Sequence, residues 1–101
     1  MPLSNDIKKR YRTIGHSLKP IVTIAGNGLS ETVLAEIKRA LTDHELIKIK
    51  VVLEDRDSRK AAINELSGQC KCEVVQEIGK TALLYKKAKK QNVKLSNLAN
   101  I

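Results

Sequence analysis

Two short β-branched segments enclose a helical pattern in the first half of the chain, and this arrangement restricts the fold more than any other feature. Residues 21–24, Ile-Val-Thr-Ile, have the composition of a buried strand. Residues 46–53 alternate apolar side chains with two lysines, which is typical of a strand with one buried face. Between the two segments, apolar residues recur four apart from Leu29 to Leu41, which predicts a helix. A strand, a helix and a second strand in this order predict a parallel pair with a right-handed connection.

The elements on either side complete the pattern. Ser4 is a suitable N-cap for a first amphipathic helix over residues 5–15, and Ser30 is a suitable cap for the second helix. A third helix is expected over residues 58–66, with Gly68 at its end. The last two strands, residues 72–78 and 81–86, flank Gly79-Lys80, which fits a two-residue hairpin turn.

The predicted fold is therefore α/β, a two-layer α-β-α-β-α-β-β arrangement with a four-stranded mixed sheet. We expect the helices on one face of the sheet and a basic, partly open surface on the other. Residues 1–87 form the predicted domain, and residues 88–101 form a basic tail that is expected to be flexible.

Charge is the first indication of function. The chain carries 19 Lys and Arg against 11 Asp and Glu, a formal net charge of +8. Most of the excess lies near the two ends of the chain, while the middle is balanced. A small basic domain of this kind favours a polyanionic partner, in particular a nucleic acid. Lysines also occur on ordinary solvated surfaces, so charge alone leaves the partner open.

Residues 25–28, Ala-Gly-Asn-Gly, join the first strand to the second helix. Glycines at this place let backbone N–H groups approach a phosphate, and the start of the helix adds partial positive charge. The same residues equally fit a plain strand-to-helix turn that needs a positive φ.

Several other classes of function find no support in the sequence. No Ser-His-Asp or Cys-His grouping indicates catalysis, so we expect no enzyme activity and no cofactor. Cys70 and Cys72 with His16 and His44 lack the spacing of a zinc site, and no metal is expected.

No signal peptide or membrane-spanning run is recognisable, which favours a cytoplasmic location without membrane attachment. With only two tyrosines and no Phe or Trp, readout by aromatic stacking is weakly supported, and recognition of backbone and shape fits better.

Several motifs follow one another along the chain. They are His16-x-Leu18-Lys19-Pro20-x-Val22, Gly26-Asn27-Gly28-Leu29-Ser30-Glu31, Leu34-x-Glu36-Ile37, His44-Glu45-Leu46-Ile47-Lys48-Ile49-Lys50, Ile78-Gly79-Lys80-Thr81 and Leu84-Tyr85. In this order they resemble the CRM domain (chloroplast RNA splicing and ribosome maturation), in particular its stand-alone YhbY-like members. The resemblance runs from about Ser4 to Lys86.

The resemblance implies a fold similar to the C-terminal domain of translation initiation factor three. It also implies RNA binding, with stand-alone members associating with precursors of the large ribosomal subunit, and a GxxG loop similar to that of KH domains. On this chain the loop corresponds to residues 25–28, with Ala25 at the first glycine position. A positive φ there would strain Ala25 by about 1 kcal/mol or more.

The leading hypothesis is a monomeric protein that binds ribosomal RNA of the large-subunit precursor during ribosome assembly. The predicted RNA-binding residues are Lys8, Lys9, Arg12, Lys19, Gly26, Asn27, Gly28, Lys48, Lys50 and Lys80. The alternative is a protein-interaction module that docks on an acidic protein partner.

Overall fold

The computed structural model describes residues 4–26, 28–88, 91, 94 and 96–98. Its elements follow the predicted order. They are α1 (Asn5–Gly15), β1 (Pro20–Ile24), α2 (Glu31–His44), β2 (Leu46–Val51), α3 (Arg56–Cys70), β3 (Glu73–Ile78) and β4 (Thr81–Tyr85). The four strands form one mixed sheet in the order β1-β2-β4-β3, which confirms the predicted α/β class. None of the described helices combines the length and apolar character that crossing a membrane requires.

The pairing of the strands brings three connections to one end of the sheet. β1 and β2 are parallel, with Ile24 opposite Val51, whereas β4 runs antiparallel to both β2 and β3. Where β1 and β2 end, the N–H of Val52 donates to the Ile24 carbonyl at 2.7 Å, and the N–H of Val51 donates to the Lys80 carbonyl at 2.6 Å. Residues 25–28, the end of β2 and the turn of the β3–β4 hairpin therefore lie side by side. We call this the loop end of the sheet.

One face of the sheet is covered by α2 and α3. Alternate residues of β2, Ile47, Ile49 and Val51, are fully or almost fully buried against Ile37 of α2 and Leu66 of α3. This cluster is the larger part of the core, and for these two helices the expected arrangement on one face holds.

α1 packs on the opposite face. Its apolar side chains contact Leu46 and Leu83, which point away from the α2–α3 cluster. Gly15 makes this contact close, because a Cβ at Gly15 would lie 2.6 Å from a methyl group of Leu83. The Tyr11 ring also lies 5.0 Å from the Tyr85 ring, centroid to centroid, and burial raises the pKa of the Tyr85 hydroxyl to about 12. The face that carries Lys48 and Lys50 is therefore only partly open.

Two expectations about local structure were wrong. α3 does not end at Gly68 but continues to Cys70, because Leu66 and Cys70 are buried and hold the last turn against the core. It is Lys71, in the left-handed conformation, that ends the helix. β1 is not a fully buried strand, since Ile21 is 51% exposed. As an edge strand, β1 is covered by α2 on one face only.

The described part of the segment after β4 is attached to the domain through Glu45. This residue ends α2 with φ 63° and is only 4% exposed. Its carboxylate accepts hydrogen bonds from the Ala88 N–H at 3.2 Å, the Gln91 amide at 2.6 Å and the Ser96 hydroxyl at 2.8 Å. Leu98 is buried beside Leu46. In this described part, the segment predicted to be a flexible tail contacts the sheet.

Replacing Glu45 with glutamine is expected to destabilise the protein by about 1–3 kcal/mol, because the amide group brings a donor to a place where three donors already meet. Burial alone would raise the pKa of Glu45, but hydrogen bonds from Gln91, Ala88 and Ser96 outweigh it and hold the pKa below the usual value of a glutamate. A lowered folded-state pKa contributes stability above the unfolded value, and this contribution is lost as the pH falls through the folded value. Urea unfolding at pH 7 and at decreasing pH checks both effects. A variant as stable as the native chain at pH 7 would contradict this role of Glu45.

Candidate nucleic-acid interface

The glycine loop, residues 25–28, is a tight turn at the loop end of the sheet. The N–H of Gly28 donates to the Ala25 carbonyl at 2.8 Å, and Gly28 has φ +70°. The positive φ thus falls on a glycine, and Ala25 avoids the strain considered above. Ser30 then caps α2 by accepting a hydrogen bond from the Val33 N–H at 3.1 Å, as predicted.

This geometry separates the roles of the predicted loop residues. The N–H of Gly28 closes the turn by donating to the Ala25 carbonyl. Gly28 therefore maintains the conformation of the turn, and its N–H is not available to a ligand. Gly26 is exposed, and a Cβ built on it meets no atom within 4 Å, so its backbone is open to close approach. Asn27, the third predicted loop residue, lies outside the described residues.

Lys48 and Lys50 lie on the open part of the sheet face that α1 partly covers. Both point away from the α2–α3 core because they alternate with Ile47, Ile49 and Val51. Lys50 is exposed and stands between Thr23 of β1 and Thr81 of β4 in the strand register. The predicted pair therefore shares one surface that leads to the loop end.

Two further predicted lysines adjoin this surface. Lys19 and Lys48 line the same cavity, which lies between the α1–β1 connection and β2. Lys80 is exposed in the hairpin turn, and its carbonyl accepts a hydrogen bond from the N–H of Val51, one residue beyond Lys50. The fold thus brings cations from three separate stretches of sequence to one side of the sheet and its loop end.

The predicted cations of the first helix are placed by α1 itself. Lys8 and Arg12 are one turn apart and half-buried, whereas Lys9 is exposed. Since α1 packs on the face of Lys48 and Lys50, its cations belong to the same side of the molecule. Among the described residues, no hydrogen bond joins Lys8, Lys9 or Arg12 directly to Lys48 or Lys50.

Sequence reasoning missed the apolar groups of this surface. Ile21 of β1 and Ile78 of β3 are 51% and 56% exposed, at the two edges of the sheet. The alternation within β1 contains the signal, because burial of Val22 and Ile24 against α2 requires Ile21 to face the other way.

The thiols lie apart from this surface. Cys70 is buried in the α2–α3 cluster, and burial raises its pKa; burial likewise raises the pKa of Cys72 to about 11. Both thiols are therefore protonated near neutral pH. Within the described part of the chain, no three His, Cys, Asp or Glu side chains come together as metal ligands would.

Several known proteins with similar sequences or structures are named as RNA-binding proteins. The profile of the CRS1 / YhbY (CRM) domain matches residues 3–86. A Pseudomonas aeruginosa protein named as a probable RNA-binding protein is 52% identical over 99 residues, which cover 98% of this chain and 95% of the relative. A Haemophilus influenzae RNA-binding protein is 41% identical over 93 residues, or 92% and 94% of the two chains. The solution structure of a hypothetical protein from Staphylococcus aureus, described as 'a putative RNA binding protein', superposes with a TM-score of 0.77 at 30% identity and covers 88% of this chain and 93% of that one.

Proposed function

Because the chain belongs to the CRS1 / YhbY (CRM) domain family, we propose that it binds ribosomal RNA of the large-subunit precursor during ribosome assembly. Its relatives are named as RNA-binding proteins. The observation that carries the proposal is the common surface of Lys48 and Lys50, which leads to the glycine loop. We further propose that the protein acts as a cytoplasmic monomer, without a catalytic step or a cofactor.

Phosphate attraction supplies most of the affinity in this proposal. Lys19, Lys48 and Lys50 neutralise backbone phosphates on the open sheet face, and Lys80 extends the contact at the loop end. The open backbone at Gly26 offers a close approach to one further phosphate, beside the start of α2. Lys8, Lys9 and Arg12 add positive charge from α1.

Filter binding of large-subunit ribosomal RNA over a salt series tests the mechanism. The logarithm of affinity is expected to fall linearly with the logarithm of salt concentration, by about 0.7–0.9 for each phosphate neutralised. Affinity that does not change with salt would overturn the mechanism. Crosslinking in cells followed by sequencing of the attached RNA tests the target, and reads without enrichment in large-subunit ribosomal RNA would overturn that part alone.

The alternative, an acidic protein partner, predicts a different result in a pulldown from lysate. Ribonuclease treatment is expected to release the partners if RNA is the ligand. Partners that stay bound after digestion would favour the protein-interaction module.

Gly26→Ala is expected to lower the affinity for ribosomal RNA about tenfold while leaving the free energy of unfolding within about 0.5 kcal/mol of the native value. The added methyl group meets nothing in the fold, but it occupies the space through which a phosphate would reach the backbone. Binding and urea unfolding are measured on the same preparation.

Gly68→Ala is the matched control, because Gly68 is also exposed and also has no neighbour within 4 Å. It lies inside α3, so alanine is expected to stabilise the helix by up to about 1 kcal/mol and to leave RNA binding unchanged. Equal affinities for the Gly26 and Gly68 variants would show that the loop does not approach the RNA.

A further inference from the structure

Two small cavities lie on the open sheet face, one on either side of Lys48. The first, of about 180 Å³, is lined by Leu18, Lys19, Ile21, His44, Ile47, Lys48 and Asn97. The second, of about 140 Å³, is lined by Gly15, His16, Lys48, Gln76, Ile78, Thr81, Ala82 and Leu83. Lys48 is the one residue common to both linings.

The chemistry of the two linings is alike. The first takes apolar surface from Leu18 and Ile21, and the second takes it from Ile78 and Leu83. Polar or basic residues complete both linings, among them Lys19 and Asn97 in the first and His16 and Gln76 in the second. No carboxylate contributes to either lining among the described residues.

The size of the cavities restricts what they hold. Both are smaller than the roughly 300–1,000 Å³ of sites for drug-sized ligands, so each suits one flat ring system. A lining that combines apolar and polar groups suits a nucleobase, whose faces pack against apolar side chains and whose edges form hydrogen bonds. If one RNA strand placed a base in each cavity, the phosphate between the two bases would lie near Lys48.

From this juxtaposition we propose that the two cavities take two unpaired nucleobases of one RNA strand, with Lys48 on the backbone between them. The proposal rests on the RNA-binding function above and specifies its substrate as a single-stranded segment, such as a loop or bulge. The bases of an A-form duplex remain stacked and paired, so they do not enter separate cavities. The sheet surface thus adds base contacts to the phosphate contacts of the lysines.

The test compares a fluorescein-labelled single-stranded oligoribonucleotide with a blunt duplex of the same length, by fluorescence anisotropy. The native protein is expected to prefer the single strand at least fivefold. Ile21→Ser/Ile78→Ser is expected to lower single-strand affinity about fivefold to tenfold, because both cavities lose apolar surface. The dependence on salt is expected to stay the same, since no charge is removed.

Ile7→Ser is the matched control. Ile7 is also an exposed isoleucine, at 40%, and it lines neither cavity. The control is expected to bind the single strand like the native protein. Circular dichroism verifies that both variants are folded.

A second measurement follows the bases themselves. A 2-aminopurine placed within the single strand is expected to become brighter when the native protein binds, as the base leaves its stacked neighbours, and Lys48→Ala is expected to reduce this change. Equal affinity for duplex and single strand, or Ile21 and Ile78 substitutions no more harmful than the control, would overturn the proposal. In either case, salt-dependent binding by the native protein would still support the proposed RNA-binding function. Failure to bind any RNA would overturn both that function and the proposal of base-binding cavities.

Discussion

Lys48→Glu/Lys50→Glu is expected to reduce affinity for ribosomal RNA by about 100-fold or more at physiological salt. The two lysines share the open sheet face, and each charge-assisted contact is worth about 1.5 kcal/mol or more. Losing two such contacts amounts to about 3 kcal/mol, which corresponds to roughly two orders of magnitude in Kd. The new carboxylates add repulsion from the phosphates. Filter binding over a salt series also tests the mechanism, because the slope against salt is expected to fall by about 1.4 or more.

Lys71→Glu/Lys87→Glu separates local contact from overall charge. It changes the net charge by the same amount, but both residues lie at the end of the sheet opposite the glycine loop. Lys71 follows α3 just before β3 begins, and Lys87 follows the last residues of β4. We expect a several-fold loss at most from this control. Equal losses of affinity in both variants would mean that RNA binding depends on the net charge of the protein and not on the surface described above.

Ile49→Ala is expected to lower the free energy of unfolding by about 2–5 kcal/mol. The Ile49 side chain is fully buried in the centre of the sheet, against the α2–α3 layer, and its truncation leaves a cavity as well as removing apolar burial. Such a loss is a large part of the total stability of a small domain. Chemical unfolding followed by circular dichroism measures it.

The neighbouring residue provides the control for this prediction. Lys50 is exposed on the opposite face, and Lys50→Ala is expected to change the free energy of unfolding by no more than about 0.5 kcal/mol. The same pair therefore distinguishes the two faces of β2: Ile49 is expected to matter for stability, and Lys50 for the proposed RNA binding. Losses of similar size at both positions would contradict the register of β2.

Much of the fold was predictable because its signals are local. The cap at Ser4 and the glycine at residue 15 delimit α1 at the residues the sequence indicates. The alternation of apolar and basic residues in β2 likewise assigns Lys48 and Lys50 to one surface. Gly28, with its positive φ, is also the kind of residue that such a turn requires.

The errors share one cause, which is packing between distant segments. Gly68 is a local stop signal, yet burial of Cys70 against the core carries α3 past it. Ile21 belongs to a run that resembles a buried strand, but its position at the sheet edge leaves one side uncovered. The extension of α3 past Gly68 is not encoded within a few residues of that glycine. At Ile21 the alternation with Val22 and Ile24 indicates which way the side chain faces, but only the fold decides that this face is left uncovered.

By itself, the sequence determined the order of helices and strands, the mixed character of the sheet and the identity of the lysines on its open side. Caps, turn residues and hydrophobic periods act over a few residues, so they are readable without the fold. Only the tertiary structure decided that α1 lies opposite α2 and α3, and that cavities flank Lys48. The position of α1 involves contacts such as that of Gly15 with Leu83, two residues far apart in the chain that meet only when the sheet has formed.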